Sequence, residues 1–96
     1  MAKVKWLPEA IIDFERLYYF LLDIDLDAAN NAASNIIHGT ALLETTPHLG
    51  RPMSDDKDRR ELFVSIGAGA YVIRYRLESE DTAVIIRIWH SRENRD

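Results

Sequence analysis

The sequence predicts an α+β fold, ordered β-α-α-β-β-β, with a helical hairpin packed on one face of an antiparallel sheet. Apolar residues recur at helical spacing through two stretches of the first half and alternate with period two through three stretches of the second. Glycine, proline and acidic clusters separate these stretches.

The first element is a short strand, because Lys3 to Leu7 alternates, with Val4 and Trp6 on one side and Lys3 and Lys5 on the other. Pro8 then opens a helix, since proline suits the first helical position, where its missing N–H would go unpaired anyway. Ala10, Phe14, Leu17 and Leu21 follow at helical spacing, flanked by Ile11, Tyr18 and Leu22, which makes one wide apolar face. Asp23, Asp25 and Asp27 interrupt the pattern, and Asp27 is placed to cap a second helix running to about Glu44. Ala29, Ala33, Ile36, Thr40 and Leu43 form its thin stripe, and Gly39 within it costs roughly 1 kcal/mol relative to alanine.

Thr45 to Arg60 reads as a loop, punctuated by Pro47, Gly50 and Pro52. Three strands follow, with Leu62, Val64 and Ile66, then Tyr71, Ile73, Tyr75 and Leu77, then Val84, Ile86, Ile88 and His90 facing the helices. Gly67-Ala68-Gly69 and Glu78 to Asp81 are the turns. The opposite face then carries Phe63, Arg74, Arg76, Ile85, Arg87 and Trp89, a mixture of guanidinium groups and rings of the kind enriched at interfaces.

A length of 96 residues suits one domain spanning 1–96, with one core. The absence of cysteine excludes disulfide and thiolate chemistry, and no apolar run resembles a signal peptide or a membrane span, so a cytoplasmic protein with no membrane contact is expected. The net charge of −4 speaks against a general polyanion binder. Residues 1–48 hold three basic side chains against seven acidic, whereas residues 49–96 hold nine of each, eight of those nine being arginine. Arginine makes bidentate and stacked contacts, so the second half is the better recognition surface, although solvated strands carry arginine too.

Gly67-x-Gly69 joins two strands, opens no helix and precedes no lysine, so it is a turn and not a phosphate loop. His38, His48 and His90 share no metal-ligand spacing, and the run of aspartates from Asp23 lacks the glycine and distal glutamate of a calcium loop; no metal and no cofactor are expected. No Ser, His and Asp arrangement marks a nucleophile. An enzymatic reading therefore rests on acid–base work by His90, at the end of the last strand beside arginines, where a structural hydrogen bond is the competing role.

Trp6-x-Pro8-x-Ala10, Leu43-x-x-x-Pro47-x-x-Gly50-Arg51-Pro52, Arg60-x-Leu62, Tyr71-x-Ile73-x-Tyr75 and Ile86-x-Ile88-x-His90, in that order, resemble the ParE/RelE toxin superfamily of type II toxin–antitoxin systems over essentially the whole chain. Leu7 departs from the pattern by occupying a position where a helix-capping serine or threonine is usual. The resemblance implies one of two trades: ribosome-dependent messenger RNA cleavage, as in RelE-like members, or inhibition of DNA gyrase, as in ParE-like members.

The ParE-like branch is favoured. RelE-like nucleases are strongly basic and carry an arginine directly after the first of the paired tyrosines, where this chain has Val72; they also place a tyrosine in the tail, where only Glu93-Asn94-Arg95-Asp96 follow Arg92. What that branch implies is a toxin of the plasmid-stabilization kind with no catalytic residue and gyrase as its target; the target contacts expected from this sequence are Arg74, Arg76, Arg87, Trp89 and Arg92. It also implies a hetero-oligomer with a cognate, ParD-like antitoxin, here expected on Tyr18, Tyr19 and Phe20. The runner-up nuclease would use His90 with Arg60, Arg74 and Arg92.

Overall fold

The computed structural model describes residues 1–55, 58–66 and 69–93. β1 (Lys3–Trp6) leads into a hairpin of α1 (Pro8–Leu22) and α2 (Leu26–Leu42), and β2 (Arg51–Pro52), β3 (Arg59–Ser65), β4 (Ala70–Ser79) and β5 (Thr82–His90) follow. The strands form a five-stranded sheet in the order β1-β5-β4-β3-β2, with α1 packed against β5 and α2 against β3 and β4.

The sheet is mixed and not antiparallel throughout. β1 lies parallel to β5, from Lys3 opposite Thr82 to Trp6 opposite Ile85, while the remaining pairs are antiparallel. Alternation in a sequence sets the face each residue takes and is silent on strand direction. A parallel pair needs a long crossover, which everything between β1 and β5 supplies.

α1 begins at Pro8 as expected, with Leu7 at the cap and no side-chain cap bond, and it buries Ala10, Asp13 and Leu17. The cap of α2 is Asp25 and not Asp27: Asp25 Oδ1 accepts the Asp27 N–H at 3.0 Å, and Asp27 instead puts its charge in the first turn. α2 buries Ala32 where Ala33 was expected, and ends at Leu42, where i to i+3 bonds from Leu43 and Glu44 tighten the last turn. Gly39 has a packing reason. A Cβ there would lie 2.7 Å from Val64 Cγ2 and 3.3 Å from Ile73 Cδ1, so its absence lets α2 settle onto β3 and β4.

The loop after α2 contains β2, whose Arg51 and Pro52 pair with Glu61 and Arg60; proline is tolerated because this is an edge strand. Tyr75 anchors the loop from below, accepting the Gly50 N–H and donating to the Pro47 carbonyl, both at 2.8 Å. Glu80 and Asp81 turn between Ser79 and Thr82 as expected, whereas Gly67 and Ala68 of the other turn lie outside the described residues.

A bulge in β5 alters the expected faces. Arg74 pairs with Arg87 but Tyr75 with Ile85, so Ile86 is the extra residue. Ala83 and Ile85 therefore join Ile88 in the core with Leu17, Ile36, Tyr71, Ile73 and Tyr75, while Val84 and Ile86, expected inward, lie outside that cluster. Ile85 is wholly buried against the helices instead of lying on the outward face.

Candidate functional site

On the sheet face away from the helices, the ladder brings Glu61 opposite Arg74 and Val72 opposite Trp89. Arg74 donates from Nε and Nη2 to Glu61 Oε2 at 3.0 and 2.8 Å, and its guanidinium stacks 4.9 Å from the Trp89 ring centre. Arg51 stands 5.2 Å over the ring of the exposed Phe63. Arg76 follows two positions after Arg74 on the same face, half-buried. Val72 and Val84 are buried beneath, outside the helix-side core. The result is a surface of alternating rings and guanidinium groups over a small apolar base.

Arg87, expected on this surface, is committed elsewhere. β1 stops at Ile85, and past that point α1 finishes the edge of β5: Asp13 Oδ2 accepts the Ile88 N–H at 2.9 Å and Arg87 Nε at 2.8 Å, and Asp13 Oδ1 accepts Arg87 Nη2 at 3.2 Å. Arg87 starts opposite Arg74 on the outer face and reaches round this edge to Asp13. Asp13 is nearly inaccessible at 3% exposure. Burial would raise its carboxyl, but the Arg87 and Ile88 hydrogen bonds and the charges of Arg87 and Arg16 outweigh burial and hold it below the usual carboxylate range. The same bonds raise the Arg87 guanidinium.

Arg92 is displaced too. It follows β5 and lines a cleft of about 530 Å³ between α1 and the turn after β5, with Leu17, Leu21 and Tyr71 as apolar floor and Arg16, Phe20, His90 and Glu93 around it. The His90 ring meets Tyr71 edge-on at 5.5 Å, and His90 Nδ1 accepts the Arg92 N–H at 3.0 Å, which assigns the proton of the neutral ring to Nε2. Gly69 makes room for that ring, since a Cβ there would lie 2.8 Å from His90 Cε1. Glu93 Oε1 accepts the His90 N–H at 2.8 Å and Oε2 accepts Arg16 Nη1 at 2.7 Å. Burial and the neighbouring Glu93 charge raise the Tyr71 hydroxyl above its ordinary value.

With this geometry in place, the comparison that decides the family is a sequence profile described as ParE toxin of type II toxin-antitoxin system, parDE, which matches residues 4–95. The chain belongs to the ParE toxin family. It is 39% identical over 95 residues to "Toxin RelE3" of Caulobacter vibrioides, covering 99% of this chain and 100% of that protein. It is 36% identical over 83 residues to "Toxin RelE1" of the same organism, covering 86% of each. A solved structure, "Chromosomal ParDE TA system from P. aeruginosa", superposes with a TM-score of 0.70 at 21% identity, over 92% of this chain and 94% of that one, which shows the shared fold.

As a ParE-family toxin of a type II system, the chain pairs with an antitoxin. Of the residues expected to meet it, Tyr19 and Phe20 are 59% and 66% exposed, and Tyr18 is half-buried, donating to Asn30 Oδ1 at 3.2 Å. Ile11, Ile12, Ile24, Leu26 and Ile37 extend the exposed apolar surface of the hairpin well beyond those three. The runner-up catalytic set of this ParE-family chain is dispersed. His90 and Arg92 share the cleft, but Arg74 lies on the opposite sheet face, and Arg60 is spent on the loop, donating from Nη1 to the His48 and Gly50 carbonyls at 3.0 and 2.8 Å, with its buried Nε unpartnered. Asp13, Arg16, Glu61 and Glu93 escaped the sequence reading. Asp13 left a signal there: it stands in the stripe between Ala10 and Leu17, and a carboxylate in a core stripe has to be paired.

Proposed function

We propose that this toxin acts by binding and not by chemistry, trapping DNA gyrase in the cytoplasm through the ring and guanidinium surface built on Arg74, Arg76 and Trp89, while the antitoxin covers the helical hairpin. The observation that carries the reading is the dispersal of the residues a nuclease would need. His90 and Arg92 are on the helix side, Arg74 on the other face and Arg60 in the loop, so the four residues expected of the nuclease do not converge on one phosphodiester. Val72, buried where RelE-like nucleases carry an arginine, supports it further. Arg74, fixed between Glu61 and Trp89, suits a contact surface, because an anchor already ordered loses little freedom on binding.

Purified toxin added to gyrase and relaxed plasmid tests this directly. Supercoiling should stop and cleaved DNA should accumulate, while messenger RNA on programmed ribosomes stays whole. Transcripts cut within the ribosomal A site, with gyrase untouched, would establish the RelE-like alternative and direct attention to His90 and Arg92. Among the described residues, no helix is long and apolar enough to cross a membrane.

A further inference from the structure

The cleft beneath Phe20 is not used by the target surface, and its chemistry is specific. Leu17, Leu21 and Tyr71 floor a space of about 530 Å³, within the range that holds a ligand or a large side chain, and Phe20 continues it onto the exposed ridge with Tyr19. A partner lying along α1 must cross its mouth.

Charge sets what it meets there. Between Pro8 and Glu44, Arg16 is the single lysine or arginine, against Glu9, Asp13, Glu15, Asp23, Asp25, Asp27 and Glu44. A carboxylate on the partner therefore finds one favourable position along the hairpin, and a like-charge penalty elsewhere. In the free chain Arg16 Nη1 is held at 2.7 Å by Glu93, a side chain from the turn that closes the far wall of the cleft. That pair is part-exposed, 37% for Arg16 and 29% for Glu93, so an incoming acid can exchange with it. Asp13 Oδ1 keeps Arg16 Nη2 nearby at 3.6 Å and fixes the guanidinium at the mouth.

We infer that the cleft receives an apolar side chain of the antitoxin together with a neighbouring carboxylate, and that Glu93 holds that carboxylate's place on Arg16 in the free toxin. The identity of the occupant rests on the antitoxin pairing described above; the cleft chemistry stands on the geometry. The antitoxin segment that fits is amphipathic, with a large apolar residue adjoining an aspartate or glutamate.

The test is an NMR titration of the full chain with 4-phenylbutyrate, which carries a ring and a carboxylate, against its neutral amide. The acid should shift the resonances of Leu17, Phe20, Tyr71 and His90 and bind about two- to fivefold more tightly than the amide. Glu93→Gln keeps an oxygen for the His90 N–H but frees Arg16, and should strengthen binding of the acid by a similar factor. Arg16→Gln should remove most of the preference, with Arg92 remaining in the lining, and the spectrum itself reports whether the variant is folded. Equal binding of acid and amide, shifts clustered away from the cleft, or no shift with either probe would each overturn the inference in the unaltered chain. Gyrase inhibition is measured without the probe, so failure of the cleft leaves the target reading standing, and the reverse holds too.

Discussion

Asp13 and Ile88 are joined as neighbouring strands would be: a side-chain oxygen of α1 accepts the Ile88 N–H at 2.9 Å, where β1 has already ended. The same carboxylate takes two hydrogen bonds from Arg87, and Arg16 lies alongside it. One buried acid thus ties helix, sheet edge and two arginines together.

Removing that acid should be costly. Asp13→Ala is expected to lower stability by about 3 kcal/mol or more, since breaking one side of a buried pair strands its partners. Asp13→Asn should cost less, because its amide oxygen still accepts the Ile88 N–H. Urea unfolding measures both, and a loss under 1 kcal/mol for the alanine variant would refute the role.

The pH dependence follows from the same group. The folded carboxyl is held below its ordinary value of 3.8, so its stabilisation is complete above that value and is lost as the pH falls through the lower folded one. Unfolding curves of the native chain and Asp13→Asn should therefore differ most near neutrality and draw together in acid below pH 3.8. Parallel curves across the whole range would assign the effect to another group.

Arg74 and Arg76 should separate target binding from folding, and Arg87 should not. Arg74→Gln and Arg76→Gln are each expected to weaken gyrase inhibition about tenfold or more while changing stability by no more than about 1 kcal/mol. Arg87→Ala should melt earlier, because it leaves Asp13 buried beside one remaining arginine. Supercoiling assays set beside thermal melts discriminate the two behaviours.

Tyr19→Ser combined with Phe20→Ser should weaken antitoxin binding by about 2 kcal/mol, roughly thirtyfold, with stability within about 0.5 kcal/mol of native. Both side chains are more than half exposed, so little of the core depends on them. Isothermal titration with the cognate antitoxin reads the affinity, and an unchanged value places the antitoxin elsewhere.

Gly39→Ala should destabilise the protein by about 1–2 kcal/mol, although alanine is the better helix former by about 1 kcal/mol, because the new methyl would meet Val64 at 2.7 Å. Val64→Ala should relieve part of that loss in a double-mutant cycle. Additive losses would show that the two do not touch.

The fold was legible wherever one residue pattern determines one outcome. Pro8 opened α1, and the alternation from Tyr71 to Leu77 placed Tyr71, Ile73 and Tyr75 in the core. It was illegible where backbone geometry intervenes: the bulge at Ile86 reversed the faces of Val84 and Ile85, and nothing in a valine–isoleucine run announces an extra residue. The site was legible as a face and not as a set of contacts. Arg74, Arg76, Arg87 and Trp89 were read onto one face, as the register has them, but nothing in the sequence announces that Arg87 turns its guanidinium to Asp13 or that Arg92 lines the cleft beside α1.

The strand order has a consequence for synthesis. β5 lies between β1 and β4, yet it leaves the ribosome after all four other strands and both helices, so Lys3 to Trp6 wait for partners about 80 positions further along the chain. Until Thr82 to His90 have emerged, Asp13 has neither Arg87 nor the Ile88 amide, and the cleft lacks His90, Arg92 and Glu93. A nascent chain cannot display its finished surfaces early. The five-stranded sheet closes only when β5 is threaded into its middle, by which time the apolar ridge of the hairpin has already emerged.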